Sequence, residues 1–191
     1  MDKVNLTQKE GERMSNNIAL LIIDVQNGLF SISEAPIYNG KSLISNIIEL
    51  INKARRLEIP IIYVQHCSES GGLLEPNTEG WNICSDISPI QGDLIIEKRT
   101  PDSFHDTVLK EALESRGIKR LVVAGLQTEF CIDTTCRRAF SLGYEVTLVE
   151  DGHSTMDSKV LNAENIIKHH NSILGSWFCE LKPTKDIEFK R

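Results

Sequence analysis

Short apolar runs alternate with segments of helical periodicity along most of this chain of 191 residues. The runs 18–25 (IALLIIDV) and 121–124 (LVVA) contain almost no polar residues, which is typical of strands buried on both faces of a parallel sheet. The segment 41–57 repeats apolar residues at the spacing of one helical face. Strands that alternate with helices form βαβ units, so the sequence predicts a three-layer α-β-α fold around a parallel sheet.

The predicted elements cover most of the chain and leave one long irregular stretch, 65–92, after the second strand. Structureless stretches of this length in compact domains are usually functional loops or lids. We expect a single domain spanning 1–191, in which 1–16 form a polar leader. The predicted strands are 18–25, 59–64, 93–97, 121–124, 145–149 and 176–181, and the predicted helices are 41–57, 107–116, 130–142 and 158–172.

Composition argues against several classes of function. The net charge is −6, and no basic stripe with interleaved aromatic residues is present, so we expect no nucleic-acid partner. The apolar runs are too short to span a bilayer and the N-terminus is polar, so we expect no membrane partner and no signal peptide. Five cysteines at irregular spacing, without a CxxC pair, fit a reducing cytoplasm better than a disulfide framework or structural zinc.

Three residues with reactive side chains fall at or just past the ends of predicted strands: Asp24, Lys98 and Cys131. In open parallel sheets, ligands bind at the carboxyl ends of the strands, where the winding changes direction. A thiol placed where a strand leads into a helix N-terminus is also favoured as a thiolate. Each residue has a structural alternative: Cys131 as a small buried hydrophobe, Asp24 as the partner of a buried Arg or a backbone N–H, and Lys98 as a surface lysine.

The segments around these residues resemble the isochorismatase-like cysteine hydrolase superfamily. The similarity covers 18–174 and is carried by ALLIIDVQNGLF with Asp24, EKRTPDSFHDTVL with Lys98, AGLQTEFCIDTT with Cys131, and GYEVTLVEDGHST. The wording around Lys98 and Cys131 is most similar to the branch that contains streptothricin hydrolase. The resemblance implies a six-stranded, mostly parallel sheet, an Asp–Lys–Cys triad, a cis peptide at Leu126–Gln127, and a homodimer or higher homo-oligomer.

The resemblance also implies a reaction. Isochorismatases that cleave a vinyl ether generally lack the cysteine, so Cys131 favours hydrolysis of a C–N bond in a small amide or lactam. We expect Cys131 to attack the carbonyl and form a thioester, Asp24 to act as general base and then acid, and Lys98 to lower the pKa of the thiol. The backbone N–H groups of Gln127 and Cys131 are the candidate oxyanion hole. A vinyl-ether hydrolase and a non-catalytic oligomeric binding protein remain the alternatives.

Four further residues bear on the composition of the site. Phe30 and Trp81 are candidate walls of the substrate pocket, with core or loop packing as the alternative. Glu129, two residues before Cys131, is a candidate substrate contact, with a solvated charge as the alternative. His66 stands in QHCSES without the Asp and second His that hold zinc in nicotinamidases of this superfamily. We therefore expect no metal and no cofactor, and interpret His66 as a loop or pocket residue.

Overall fold

The computed structural model describes residues 17–189, so the predicted leader 1–16 lies outside the described residues. A single six-stranded sheet forms the centre of the described chain, in the order β3-β2-β1-β4-β5-β6, and every neighbouring pair of strands is parallel. The three-layer, six-stranded fold predicted from the sequence is confirmed. The strands are β1 (Ile18–Ile23), β2 (Ile61–His66), β3 (Leu94–Lys98), β4 (Arg120–Leu126), β5 (Glu145–Ser154) and β6 (Glu180–Lys182).

Helices cover both faces of this sheet. The α-helices are α1 (Asn27–Phe30), α2 (Gly40–Arg56), α3 (Leu109–Glu114), α4 (Asp133–Ser141) and α5 (Ala163–Trp177), with 3₁₀ turns at Ser85–Ile87 and Thr184–Asp186 and a π-helical turn at Thr128–Ile132. None of the helices in the described range 17–189 is long and apolar enough to cross a membrane.

The core consists of two apolar layers separated by the sheet. Successive residues of β1 are all buried and point alternately into the two layers, which is why this run is apolar throughout. One layer packs β1 against α2, through residues such as Leu43 and Ile47. The other packs it against α3, α4 and α5, through residues such as Leu113, Ala139 and Leu174.

The structure corrects several element boundaries near the carboxyl edge of the sheet. Lys98 is the last residue of β3 rather than lying beyond the strand. β5 continues to Ser154 because its polar end still pairs with β4 after an irregularity in register. The last helix begins at Ala163, five residues after its predicted start at 158. The Asn162 side chain caps this helix by accepting from the backbone N–H of Asn165. That helix continues to Trp177, so the predicted strand 176–181 is wrong in its first half.

The winding of the sheet changes direction between β1 and β4. From β1 the chain proceeds outward through β2 and β3, and then returns to the other side of β1 to add β4, β5 and β6. In sheets of this kind, the crevice for a ligand lies between the carboxyl ends of the two central strands. We therefore expect a functional site at the carboxyl ends of β1 and β4.

Candidate active site

Asp24 follows β1 directly and is held in an unusual backbone conformation. Its φ is 53°, in the left-handed region that Asp and Asn tolerate better than most residues, and its backbone N–H donates to Val64 O over 2.9 Å. On the neighbouring strand, Gly125 has a φ of +130°, and a Cβ added there would collide with the backbone of Ile23. β4 thus passes so close to the end of β1 that this position requires glycine.

The three reactive residues predicted from the sequence are in contact. Lys98 Nζ lies 2.7 Å from Asp24 Oδ2 and 3.1 Å from Cys131 Sγ. The side chains of Lys98 and Asp24 are 0% and 3% exposed. Because a buried charge is costly unless it is paired, this ion pair sets the charge balance of the whole cluster. Asp24 Oδ1 is also buried and has no partner by hydrogen-bond geometry within 17–189, which leaves it available to the thiol.

The expectation that the thiol of Cys131 has a lowered pKa is wrong. Burial raises the pKa of Cys131 to about 12, and the neighbouring carboxylate of Asp24 adds to this effect, while Lys98 opposes it and is outweighed. The residue lies inside the π-helical turn Thr128–Ile132 rather than at the first residue of α4, which begins at Asp133. The sulfur is therefore a protonated thiol at rest, and a carboxylate oxygen of Asp24 that can accept its proton lies within 4.8 Å.

Hydrogen bonds of Gln127 and Thr128 stabilise the turn that carries Cys131. The peptide bond Leu126–Gln127 is cis, as predicted. The carbonyl of Gln127 accepts from the backbone N–H groups of Phe130 and Ile132, both over 3.2 Å. Thr128, which begins the turn, is fully buried, and its hydroxyl lies 2.8 Å from His153 Nδ1. These contacts set the direction in which Cys131 points.

His153, near the end of β5, lies in the buried interior. Its Nε2 lies 2.8 Å from Asn171 Oδ1 on α5. Burial lowers the pKa of His153 to about 4, so the ring is neutral. With Nε2–H donating to Asn171, Nδ1 accepts from the Thr128 hydroxyl. The chain Thr128–His153–Asn171 therefore connects the turn of Cys131 to the outer helix layer.

His66, which the sequence analysis interpreted as a loop or pocket residue, lies on a strand and belongs to the cluster. It is the last residue of β2, directly opposite Lys98 in the register of β2 and β3, and its Nδ1 lies 3.2 Å from Lys98 Nζ. The backbone of His66 is held by the buried side chain of Gln26, which accepts from its N–H over 2.9 Å and donates to its C=O over 3.0 Å. Its position at the end of a strand would have identified it as a candidate, but the predicted strand ended at residue 64, two residues before the end of β2.

The side-chain ligand atoms of Asp24, His66 and Cys131 lie within 4.8 Å of one another, a spacing that could surround a metal ion. However, Lys98 Nζ is within 2.7–3.2 Å of an atom of each of the three. An ammonium group therefore already supplies the positive charge at their centre, and the residues present fit a metal ion poorly. The expectation of no metal stays a prediction.

The two aromatic candidates for the substrate pocket lie in different surroundings. Trp81 is close to the end of β2: its indole N–H donates to Cys67 Sγ over 3.3 Å. Its carbonyl accepts from the side chains of Gln26 and Gln65, both over 2.8 Å. Phe30 lines a cavity of about 400 Å³ whose other lining residues are Asn27, Gly40, Lys41, Ile44, Cys84, Ser85 and Asp86. That lining includes none of the three reactive residues, whereas Trp81 adjoins the strand that ends in His66.

Glu129 is partly buried beside Cys131. Its Oε1 accepts from the Thr155 hydroxyl over 2.9 Å, and its Oε2 is buried without a hydrogen-bond partner among the residues the structure describes. It is thus not the freely solvated charge that was the alternative interpretation. Whether it, Phe30 and Trp81 contact substrate stays a prediction, as does the oxyanion-hole role of the Gln127 and Cys131 N–H groups.

Comparisons with known proteins agree with this architecture. The chain matches the family described as Isochorismatase domain over residues 18–169. It is 31% identical to streptothricin hydrolase of Streptomyces noursei over 139 residues, which cover 73% of this chain and 50% of that protein. It is also 31% identical to nicotinamidase 3 of Arabidopsis thaliana over 159 residues, covering 76% of this chain and 77% of that protein. The crystal structure of an isochorismatase from Pseudomonas putida superposes with a TM-score of 0.84 at 31% identity, covering 90% of each chain.

Proposed function

Because the chain belongs to the isochorismatase family of hydrolases, we propose that it is a cysteine hydrolase that cleaves a C–N bond in a small amide or lactam. The observation that carries this proposal is the contact of a buried Lys98 with both Asp24 and Cys131. A thiol beside a buried carboxylate and ammonium has the parts required for nucleophilic catalysis. A relative named as a nicotinamidase adds support for an amide substrate.

In the first half of the proposed reaction, Asp24 Oδ1 takes the proton of the Cys131 thiol while Sγ attacks the amide carbonyl carbon. An S–C bond forms, and the carbonyl oxygen becomes an oxyanion, for which the N–H groups of Gln127 and Cys131 are the proposed donors. When the tetrahedral intermediate collapses, the C–N bond breaks and Asp24 returns its proton to the leaving nitrogen. The products of this half are a free amine and a thioester on Cys131.

In the second half, a water molecule replaces the amine. Asp24 takes a proton from this water as its oxygen attacks the thioester carbon. The C–S bond then breaks, the carboxylic acid product leaves, and the proton held by Asp24 returns to the sulfur. The ammonium of Lys98 stays in contact with Asp24 and the sulfur, and it regains a carboxylate partner each time Asp24 gives up the proton.

The raised pKa of Cys131 supports one of two ways of activating the thiol. With a pKa of about 12, forming a free thiolate at pH 7 costs about 7 kcal/mol. Transfer of the proton to Asp24 during the attack avoids this cost. The S–C bond forms while the proton leaves, so a full negative charge never builds up on the sulfur. The proposed mechanism therefore uses Asp24 as a base in the same step as the attack, rather than a thiolate formed beforehand.

The proposal is tested by a screen of small amides, lactams and carbamoyl compounds, with release of amine or ammonia as the readout. Cys131→Ala serves as the matched protein control, and isochorismate is included for the vinyl-ether alternative. We expect turnover of at least one C–N compound, loss of that turnover in Cys131→Ala, and a mass increase on Cys131 equal to the acyl group after rapid quenching. Turnover that persists in Cys131→Ala, or hydrolysis of isochorismate alone, would contradict it.

A further inference from the structure

The ammonium of Lys98 has more acceptors around it than it has protons. Its four neighbours are Asp24 Oδ2 at 2.7 Å, Cys131 Sγ at 3.1 Å, Thr100 O at 3.1 Å and His66 Nδ1 at 3.2 Å. An ammonium group only donates hydrogen bonds, so His66 Nδ1 must be the acceptor in its contact with Lys98. A neutral imidazole that accepts at Nδ1 carries its proton on Nε2. The contact with Lys98 thus sets the tautomer of His66.

The surroundings of His66 also favour its neutral form. Burial lowers the pKa of His66, the nearby ammonium of Lys98 lowers it further, and the carboxylate of Asp24 acts in the opposite direction with a smaller effect. A second positive charge facing Lys98 would be repelled. His66 is therefore a neutral ring whose Nε2–H can donate but whose Nε2 cannot act as a base.

That donor is unused within the described chain. His66 is half-buried, and its Nε2 has no hydrogen-bond partner within 17–189, while a ring nitrogen lies within 4.8 Å of both Cys131 Sγ and a carboxylate oxygen of Asp24. The clamp by Gln26 on the His66 backbone keeps the ring in place. The ring of His66, with a neutral N–H donor that has no acceptor among the described residues, thus lies beside the sulfur and Asp24.

The strand order determines which part of a substrate this donor can reach. β1 lies between β2 and β4, so His66 and Gln127 follow strands that are two positions apart. Strand neighbours are about 4.8 Å apart, which separates these two ends by about 10 Å. One substrate oxygen cannot contact both, so His66 lies on the opposite side of Asp24 from Gln127, one of the two proposed oxyanion-hole donors. This step rests on the proposed function, in which the carbonyl oxygen faces Gln127 and the leaving nitrogen takes its proton from Asp24. The leaving nitrogen is then the part of the substrate on the side of His66.

We propose that His66 is a specificity-determining residue whose Nε2–H binds a hydrogen-bond acceptor attached to the leaving nitrogen of the substrate. An oxygen acceptor in this place is a second carbonyl on the nitrogen, as in an acylurea or an imide. A simple primary amide has no such group and leaves the donor of His66 unpaired. The substrate class is therefore an amide whose nitrogen is itself acylated or carbamoylated.

The experiment compares alkylation of Cys131 by chloroacetylurea and by chloroacetamide, which differ in the second carbonyl. The second-order rate constants are measured by mass spectrometry and divided by those of free cysteine with the same reagents. The ratio of the two corrected constants cancels changes in thiol reactivity, which a substitution beside Lys98 can cause. We expect wild-type protein to favour chloroacetylurea, and His66→Phe to reduce this preference by about threefold to tenfold, the effect of one neutral hydrogen bond.

Two further variants separate the donor from a structural effect. His66→Gln, which offers an amide N–H donor, should restore part of the preference, and His169→Phe on the exposed surface of α5 should leave it unchanged. His66→Ala is a second variant without a donor, in case His66→Phe does not fold. The same change should appear in the dissociation constants of acetylurea and acetamide for Cys131→Ala, measured by ligand-observed NMR.

A preference that is the same in wild type, His66→Phe and His66→Ala overturns the proposal. Equal affinity of acetylurea and acetamide for Cys131→Ala overturns it as well. Neither measurement requires hydrolysis. A protein that shows the preference and hydrolyses no amide would therefore contradict the proposed function and leave the contact with His66 standing.

Discussion

Asp24→Asn removes one negative charge from the centre of the cluster and keeps the shape of the side chain. The backbone should be preserved, because Asn tolerates the left-handed φ of 53° found at this position. In the wild type, Lys98 Nζ is shared between a carboxylate oxygen at 2.7 Å and the sulfur of Cys131 at 3.1 Å. Without the carboxylate, the ammonium can regain an anionic partner if the thiol ionises. We therefore expect the pKa of Cys131 to fall in this variant.

The magnitude follows from the cost of an unpaired buried charge. With a pKa of about 12, the thiolate fraction of Cys131 at pH 8 is on the order of 10⁻⁴ in the wild type. Leaving a buried charge without its partner costs about 3–5 kcal/mol, and ionising the thiol recovers a large part of this. A recovery of about 3 kcal/mol corresponds to a rise of about a hundredfold in thiolate fraction. Turnover should move the other way, falling about 10²–10⁴-fold with loss of the general base.

The assay is the rate of iodoacetamide alkylation of Cys131 between pH 6 and 10, followed by peptide mass spectrometry, beside amide turnover. The other four cysteines are an internal reference for general unfolding. Asp106→Asn is the matched control, because Asp106 also has a positive φ, of 52°, and its side chain is 90% exposed. We expect faster alkylation with slower turnover in Asp24→Asn, and neither change in the control. Alkylation that slows or stays the same would refute the electrostatic reasoning.

Three further predictions concern the nucleophile, the strand contact and the buried histidine. Cys131→Ser should fold like the wild type and lose at least about a hundredfold in turnover, since a hydroxyl is harder to ionise than a thiol. Gly125→Ala should lower the free energy of unfolding by more than about 3 kcal/mol, because Cβ would meet the backbone of Ile23, whereas Gly143→Ala, at a φ of +85° in open space, should cost about 1 kcal/mol in the same urea titration. The pKa of about 4 for His153 lies below its ordinary 6.5, so the unfolded state binds more protons between these values. Stability should therefore decrease as the pH is lowered, and should be about 2.5 kcal/mol smaller at pH 4.5 than at pH 7. Unfolding titrations at both pH values should show a smaller loss in His153→Gln, and an equal loss would contradict a neutral buried ring.

The parallel sheet and its alternation with helices along the chain could be predicted because their signals are local. The unbroken apolar run of β1 requires burial on both faces, and helical spacing in 41–57 identifies α2, so the order of strands and helices follows from the pattern. Boundaries were less accurate where polar residues continue an element. β5 continues to Ser154 because pairing with β4 satisfies its backbone hydrogen bonds. The pattern of apolar residues does not reveal this pairing.

What the sequence by itself determined is that Asp24, Lys98 and Cys131 end up at one edge of a parallel sheet, because strand ends converge whatever lies between them. Only the tertiary structure decided how these groups affect one another. Burial and the Asp24 carboxylate outweigh Lys98 and keep the thiol protonated, and His66 joins the cluster through a contact with Lys98 at 3.2 Å. The physical reason is that charge interactions and desolvation depend on distances of a few ångströms between residues far apart in the chain, and a pattern along the chain does not contain those distances.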